Sequence, residues 1–201
     1  MHRKLLSGLA VAGILSTQAV AGSVNEPAPA FSLQNSYGET VSLSEFEGKH
    51  VILEWTNHEC PYVKKHYGAD NMQALQRTYT DEDVVWLTII SSAPGKQGHV
   101  SAQTANELTD SREAAPTHVL FDPDGDVGRM YKAKTTPHMY IVDPKGTLQY
   151  AGAIDSIKSA NPADIPNAVN YVTSGMDALA AGSDPNPELT APYGCSIKYK
   201  S

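Results

Sequence analysis

The stretch that decides the fold is Val51-Ile-Leu-Glu-Trp-Thr-Asn-His-Glu-Cys60-Pro-Tyr-Val63. Val51 to Trp55 is apolar except for Glu54, which predicts a buried strand. Pro61 lacks an amide hydrogen and suits the first turn of a helix. The pattern predicts a helix from Cys60 or Pro61 to Thr78, kinked or split at Gly68. A cysteine at such a junction meets unpaired backbone amides and the positive end of the helix dipole. Both favour the thiolate, which is the reactive form. Lys64 and Lys65, one turn later, would add positive potential, and the polar neighbours Asn57, His58 and Glu59 argue that the sulfur is exposed. Glu54 is costly to bury unless paired or protonated. A raised pKa would let it relay protons to or from the thiol.

Working outward, Phe31-Ser-Leu-Gln and Thr40-Val-Ser-Leu alternate around a turn at Tyr37-Gly38-Glu39 and read as a small hairpin. Val84 to Ile90 is a continuous apolar strand of the kind parallel sheets bury. A polar helix is expected over Val100 to Ala114, a strand over His118 to Phe121 and a short helix over Val127 to Lys132. Pro137 to Val142 and Leu148 to Ala153 form an antiparallel pair around the turn Asp143-Pro-Lys-Gly146. Ile165, Val169, Val172, Met176 and Leu179 recur at helical spacing and predict an amphipathic helix from Ile165 to Ala180. Gly95-Lys-Gln-Gly98 reads as a surface loop, and Trp55 and Trp86 as core. This order implies an α/β fold in three layers, a mixed central sheet with helices on both faces. Right-handed crossovers would then bring Thr56 to Pro61 to the carboxyl edge of the parallel strands, where open α/β sheets hold their sites.

The first residues have a different character. Met1-His-Arg-Lys4 is basic, Leu5 to Leu15 is apolar, and Ala19-Val-Ala21 fits a small-x-small cleavage site, so residues 1–21 are expected to be a signal peptide. Residues 22–182 then make one domain and 183–201 a proline-rich irregular tail carrying Cys195. Without Arg3 and Lys4, 13 basic side chains face 22 acidic ones, a net charge of −9. An acidic exported domain lacks the basic footprint that nucleic acids and anionic lipids require. The remaining apolar runs are strand-sized, so no membrane contact is expected after cleavage.

Export places Cys60 and Cys195, the two cysteines of the chain, where thiols oxidise. They make either a structural staple or a redox pair, and a potential below about −300 mV would mark the staple. With two histidines, Cys60 would also suit copper or zinc, the basis of a non-catalytic metal-handling or binding alternative.

The lead-in Pro27-Ala-Pro-Ala-Phe-Ser-Leu, the segment Gly38 to Lys49, Glu54 six residues before Cys60, and Thr135-Thr-Pro137-His-Met-Tyr-Ile-Val-Asp143 together resemble the thioredoxin superfamily, in its redoxin or AhpC/TSA-like branch. The resemblance runs from about Pro27 to Asp155 and implies a thioredoxin-like sandwich with an amino-terminal hairpin extension. It implies a nucleophilic Cys60, a buried acid at Glu54, and a cis-proline at Pro137 that holds the Thr136 backbone beside the sulfur to pair with an extended substrate. His138 and Asn57 join the expected substrate-binding residues. The chain departs from the pattern at Val63, where thioredoxins carry a second cysteine, and Cys195 is the internal candidate to resolve an adduct on Cys60. Peroxiredoxins carry a threonine three residues before the cysteine and a proline before that, whereas here Thr56 lies four before and Leu53 stands at the proline position. The expected function is therefore an exported, periplasmic thiol-disulfide oxidoreductase acting on protein or small-molecule thiols and disulfides, with a peroxide-reducing thiol peroxidase as the alternative. No cofactor is implied.

Overall fold

The computed structural model describes residues 22–201; the expected signal peptide lies outside the described residues. The apolar runs become the strands of one mixed sheet. Strands β3 (Val51–Trp55), β4 (Val85–Ile90) and β5 (His118–Phe121) are parallel, in the order β5-β4-β3. Beyond β3 the sheet continues antiparallel through β7 (His138–Val142) and β8 (Leu148–Gly152). The hairpin β1 (Ser32–Asn35) and β2 (Thr40–Ser42) extends the other edge, with β1 antiparallel to β5. The resulting sheet is β2-β1-β5-β4-β3-β7-β8.

Alternation along the strands sorts two cores. Ile52, Trp86, Met139 and Ile141 face helices α1 (Pro61–Gly68), α2 (Asn71–Asp81) and α5 (Tyr171–Ala180) through Val63, Met72 and Val172. Leu53, Trp55, Leu87 and Tyr140 face the other way, against Phe31 and against Val127 of α4 (Asp126–Met130). Helix α3 (Ala102–Ser111) packs Ala105 with Val119 of β5. Trp55 and Trp86 are fully buried core residues.

Two expected helices differ. The helix after Cys60 splits after Gly68, and Asp70 takes a left-handed φ of 56° before α2 starts. The helix expected from Ile165 begins at Tyr171, because Pro162–Asn167 forms a 3-10 turn containing Pro166. Proline has no amide for a continuing helix. Asn170 caps α5 instead, its Oδ1 accepting from the amides of Val172 and Thr173 at 3.0 and 3.1 Å. Val169 is therefore exposed rather than core.

The last segment is not loose. Residues 188–200 run back across the carboxyl edge of the parallel strands as a strap, and β9 (Cys195–Ser196) pairs antiparallel with β6 (Thr135–Thr136). Among the described residues no helix is long and apolar enough to cross a membrane.

Candidate active site

Cys60 ends the turn that follows β3 and immediately precedes α1. Asn57 shapes that turn: its Oδ1 accepts from the Glu59 amide at 2.9 Å, and its carbonyl accepts from the Cys60 amide at 3.0 Å. The Gly95–Gly98 loop packs on this turn, with the Gly98 amide donating to Glu59 Oε2 at 2.8 Å. A side chain at Gly98 would collide with Asn57, and its φ of +87° suits glycine.

The Thr136–Pro137 peptide is cis, and the Cys60 thiol lies 3.2 Å from the Thr136 carbonyl oxygen. Thr136 is also the register partner of Cys195 across β6 and β9. That pairing brings the Cys195 sulfur to 2.6 Å from the Cys60 sulfur. Burial works against ionisation of Cys60, yet its pKa lies below the ordinary thiol value. The Cys195 thiol, the amides of Val63 and Cys195, and the Thr136 side chain all stabilise negative charge on the sulfur. Cys195 moves the opposite way, pushed up to about 11 by burial, by its hydrogen bond to Cys60 and by the charge on Cys60, with Lys198 opposing. The two cysteines are thus unlike: the surroundings of Cys60 favour its thiolate, and those of Cys195 oppose one.

A buried polar cluster holds the strap down beside this pair. Lys65 Nζ lies 3.1 Å from Asp155 Oδ2, and both side chains are buried. His66 Nε2 lies 3.7 Å from the same oxygen, and burial lowers the His66 pKa to about 4. The Tyr193 hydroxyl donates to Asp155 Oδ1, and its ring packs edge-on against Tyr62 at 5.7 Å. Two residues later the strap presents Cys195.

Residues 24–151 match the AhpC/TSA family. The chain belongs to that family. It is 30% identical over 124 residues to the Thioredoxin-like protein YneN of Bacillus subtilis (strain 168), covering 62% of this chain and 68% of that protein. Among solved structures, an uncharacterized conserved protein from Geobacillus kaustophilus matches with a TM-score of 0.75 and 25% identity, over 96% of this chain and 98% of that one. A hypothetical protein from Sinorhizobium meliloti 1021 matches at 0.74 and 20% identity, over 89% and 96% of the two chains. The thioredoxin domain of a thiol-disulfide oxidoreductase from Bacteroides vulgatus shares the fold at a TM-score of 0.52 and 17% identity, over 72% and 96%. The central sheet and cysteine-bearing helix are thus those of a thioredoxin-like AhpC/TSA protein.

Several of the site residues lie otherwise than the sequence suggests. Cys60 is fully buried rather than exposed, because the strap roofs it. The Thr136 edge, expected to receive a substrate chain, is occupied by the protein's own Cys195. Lys65 is spent on Asp155 and does not stand among the groups that shift Cys60. His138 lies level with Trp55 on the opposite face of the sheet from Met139. Its Nδ1 lies 3.1 Å from the Tyr140 hydroxyl and 3.3 Å from the Lys134 amide, and burial lowers its pKa to about 3.

Glu54 is fully buried, and burial raises its pKa while hydrogen bonds, those from Trp86, Tyr67 and Thr88 among them, oppose the rise. Tyr67 Oη, Trp86 Nε1, Thr88 Oγ1 and Gln76 Nε2 donate to its carboxyl group at 3.0, 3.0, 3.2 and 3.3 Å. These bonds tie α1, α2 and β4 to β3, and none goes to Cys60. Among the described residues no three His, Cys, Asp or Glu side chains come together to hold a metal. Sequence reasoning missed Asp155 and Tyr193. The visible signal for Tyr193 was its place two residues before a cysteine; Asp155 carried none.

Proposed function

We propose that this protein is a thiol-disulfide oxidoreductase in which Cys60 and Cys195 form one redox couple, cycling between dithiol and disulfide. The observation that carries the reading is the 2.6 Å approach of the two sulfurs at the start of α1. A helix start and converging amides stabilise the Cys60 thiolate and so the reduced form of the pair. A couple whose reduced form is stabilised is the more oxidising. Cys60 supplies the nucleophilic thiolate and Cys195 the partner sulfur. Thr136 and Pro137 fix the backbone between them, while Glu54, Asn57 and His138 support the surrounding fold. The thiol-disulfide oxidoreductase from Bacteroides vulgatus that shares the fold agrees with this reading.

Substrates are thiols or disulfides of polypeptides or small molecules; the pattern of residues 1–21 supports export, and a two-cysteine redoxin suits a periplasm. Equilibration with glutathione or dithiothreitol redox buffers, followed by thiol alkylation, measures the potential. A value above about −300 mV supports a working couple, and one below it marks a structural bond. Peroxide consumption lost in Cys60→Ser would point instead to a peroxidase.

A further inference from the structure

A redox couple of two sulfurs can meet its substrate at either one. We propose that the substrate meets Cys195, while Cys60 works inside the protein as the leaving thiolate in one direction and the attacking thiolate in the other. The inference rests on the couple proposed above and reverses the order expected from the sequence, in which Cys60 meets the substrate and Cys195 resolves the adduct.

Access is the first argument. Cys60 has no exposed surface, whereas Cys195 is partly exposed, between partly exposed Gly194 and exposed Ser196. Reaching Cys60 requires lifting the strap. That means breaking the Tyr193–Asp155 hydrogen bond, the Ile197 amide to Lys134 carbonyl bond at 3.0 Å, and the Ala93 amide to Lys198 carbonyl bond at 2.9 Å. Reaching Cys195 requires breaking none of these. Charge is the second argument. Lys198 is partly exposed, its Nζ lies 3.2 Å from Ser196 Oγ, and its positive charge acts on the Cys195 sulfur. An arriving thiolate is attracted to that side of the pair.

The leaving group is the third. Thiol-disulfide exchange places the developing charge on the sulfur that departs, and the sulfur of lower pKa leaves faster. Attack on Cys195 expels Cys60, which the Val63 and Cys195 amides receive as a thiolate. Attack on Cys60 would expel Cys195, where burial opposes the thiolate and no amides converge as they do on Cys60; Lys198 alone favours the charge.

The steps balance as follows. A substrate thiolate attacks the Cys195 sulfur of the Cys60–Cys195 disulfide. A bond forms between substrate sulfur and Cys195, the bond between the two protein sulfurs breaks, and Cys60 leaves with the electron pair. A second substrate thiolate then attacks the substrate sulfur of the mixed disulfide and displaces Cys195, which takes a proton from solvent. Two substrate thiols have become a disulfide, and the protein has gained two electrons as a dithiol. The substrate class is therefore thiols, with oxidation of the substrate as the favoured direction.

The test uses the full chain, oxidised by excess oxidised glutathione and freed of it. Reduced glutathione is added, the reaction is quenched in acid at successive times, and the mixed disulfide is located by peptide mass spectrometry. The expected result is glutathione on the Cys195 peptide in excess over the Cys60 peptide by on the order of tenfold, as leaving-group and access effects on exchange predict. Glutathione mainly on Cys60 overturns the inference and leaves the redox couple standing. A disulfide that exchanges only after denaturation overturns the couple itself. Lys198→Gln supplies a second readout: it slows the reaction with anionic glutathione more than with a neutral thiol, and equal rates in variant and parent count against the charge argument.

Discussion

The turn that ends at Cys60 and the strap that carries Cys195 deliver their sulfurs to one place by opposite means. The turn is held chiefly by neighbours in sequence: the Glu59 and Cys60 amides both donate to Asn57, and α1 starts at the next residue. The strap is held almost wholly by distant partners. The Glu188 carbonyl and the Thr190 amide bond to Ala151, Thr190 Oγ1 accepts from the Ala153 amide, Ile197 bonds to Lys134, and Tyr199 Oη donates to the Ala133 carbonyl. Cys60 is therefore placed by local geometry, and Cys195 by sockets built from other elements. Damage to a socket should move one sulfur and leave the other.

The largest expected effect removes the pair outright. Cys195→Ser or Cys60→Ser abolishes two-electron cycling, read as loss of reversible disulfide formation in redox buffers; cycling that survives either change would refute the couple. Next, Asp155→Asn leaves Lys65 buried without its counter-charge, for which about 3–5 kcal/mol of destabilisation is expected. Chemical denaturation measures it, and a loss below about 1 kcal/mol would mean that the socket does not anchor the strap. Tyr193→Phe is milder, because it removes one buried hydrogen bond to a carboxylate, at about 1–3 kcal/mol. It should also speed alkylation of Cys60 in the reduced protein without changing the helical circular dichroism, since only the roof loosens.

The last expected effect is a pH dependence, small per proton and accumulating as pH falls. His66 and His138 are buried, with pKa values lowered to about 4 and about 3. The unfolded chain takes up these protons first, near pH 6.5, so stability is full above that pH and declines as pH falls toward the folded values. Each histidine contributes a slope of up to about 1.4 kcal/mol per pH unit. Denaturation between pH 7 and 4.5 measures the slope, and His138→Asn should reduce it by one histidine's share.

The same contrast explains what was legible in the sequence. Apolar runs and turn residues announced the strands, the hairpin and the strand–helix junction, because period and punctuation are local properties. Thr136–Pro137 was legible by resemblance. The exposure of Cys60 was misread, because polar neighbours report on their own hydrogen bonds and not on a cover supplied from 135 residues away. His138 was misplaced for want of strand register: alternation sends it to the face opposite Met139. Pro166 was present to be read as a helix stop, but the apolar spacing through Val169 outweighed it. The Asp155 socket left no pattern, since its members Lys65, His66, Asp155 and Tyr193 meet only through the fold.

The separation of the two sulfurs along the chain has one more consequence. A covalent link between positions 60 and 195 would close a ring through most of the described residues. Tethering points that far apart restricts the unfolded chain by about 5 kcal/mol in the loop-entropy account, as much as the whole folding free energy of a marginal domain. Each turnover would then also switch the protein between a heat-resistant and a softer form, and the melting temperature would follow the redox poise of its compartment.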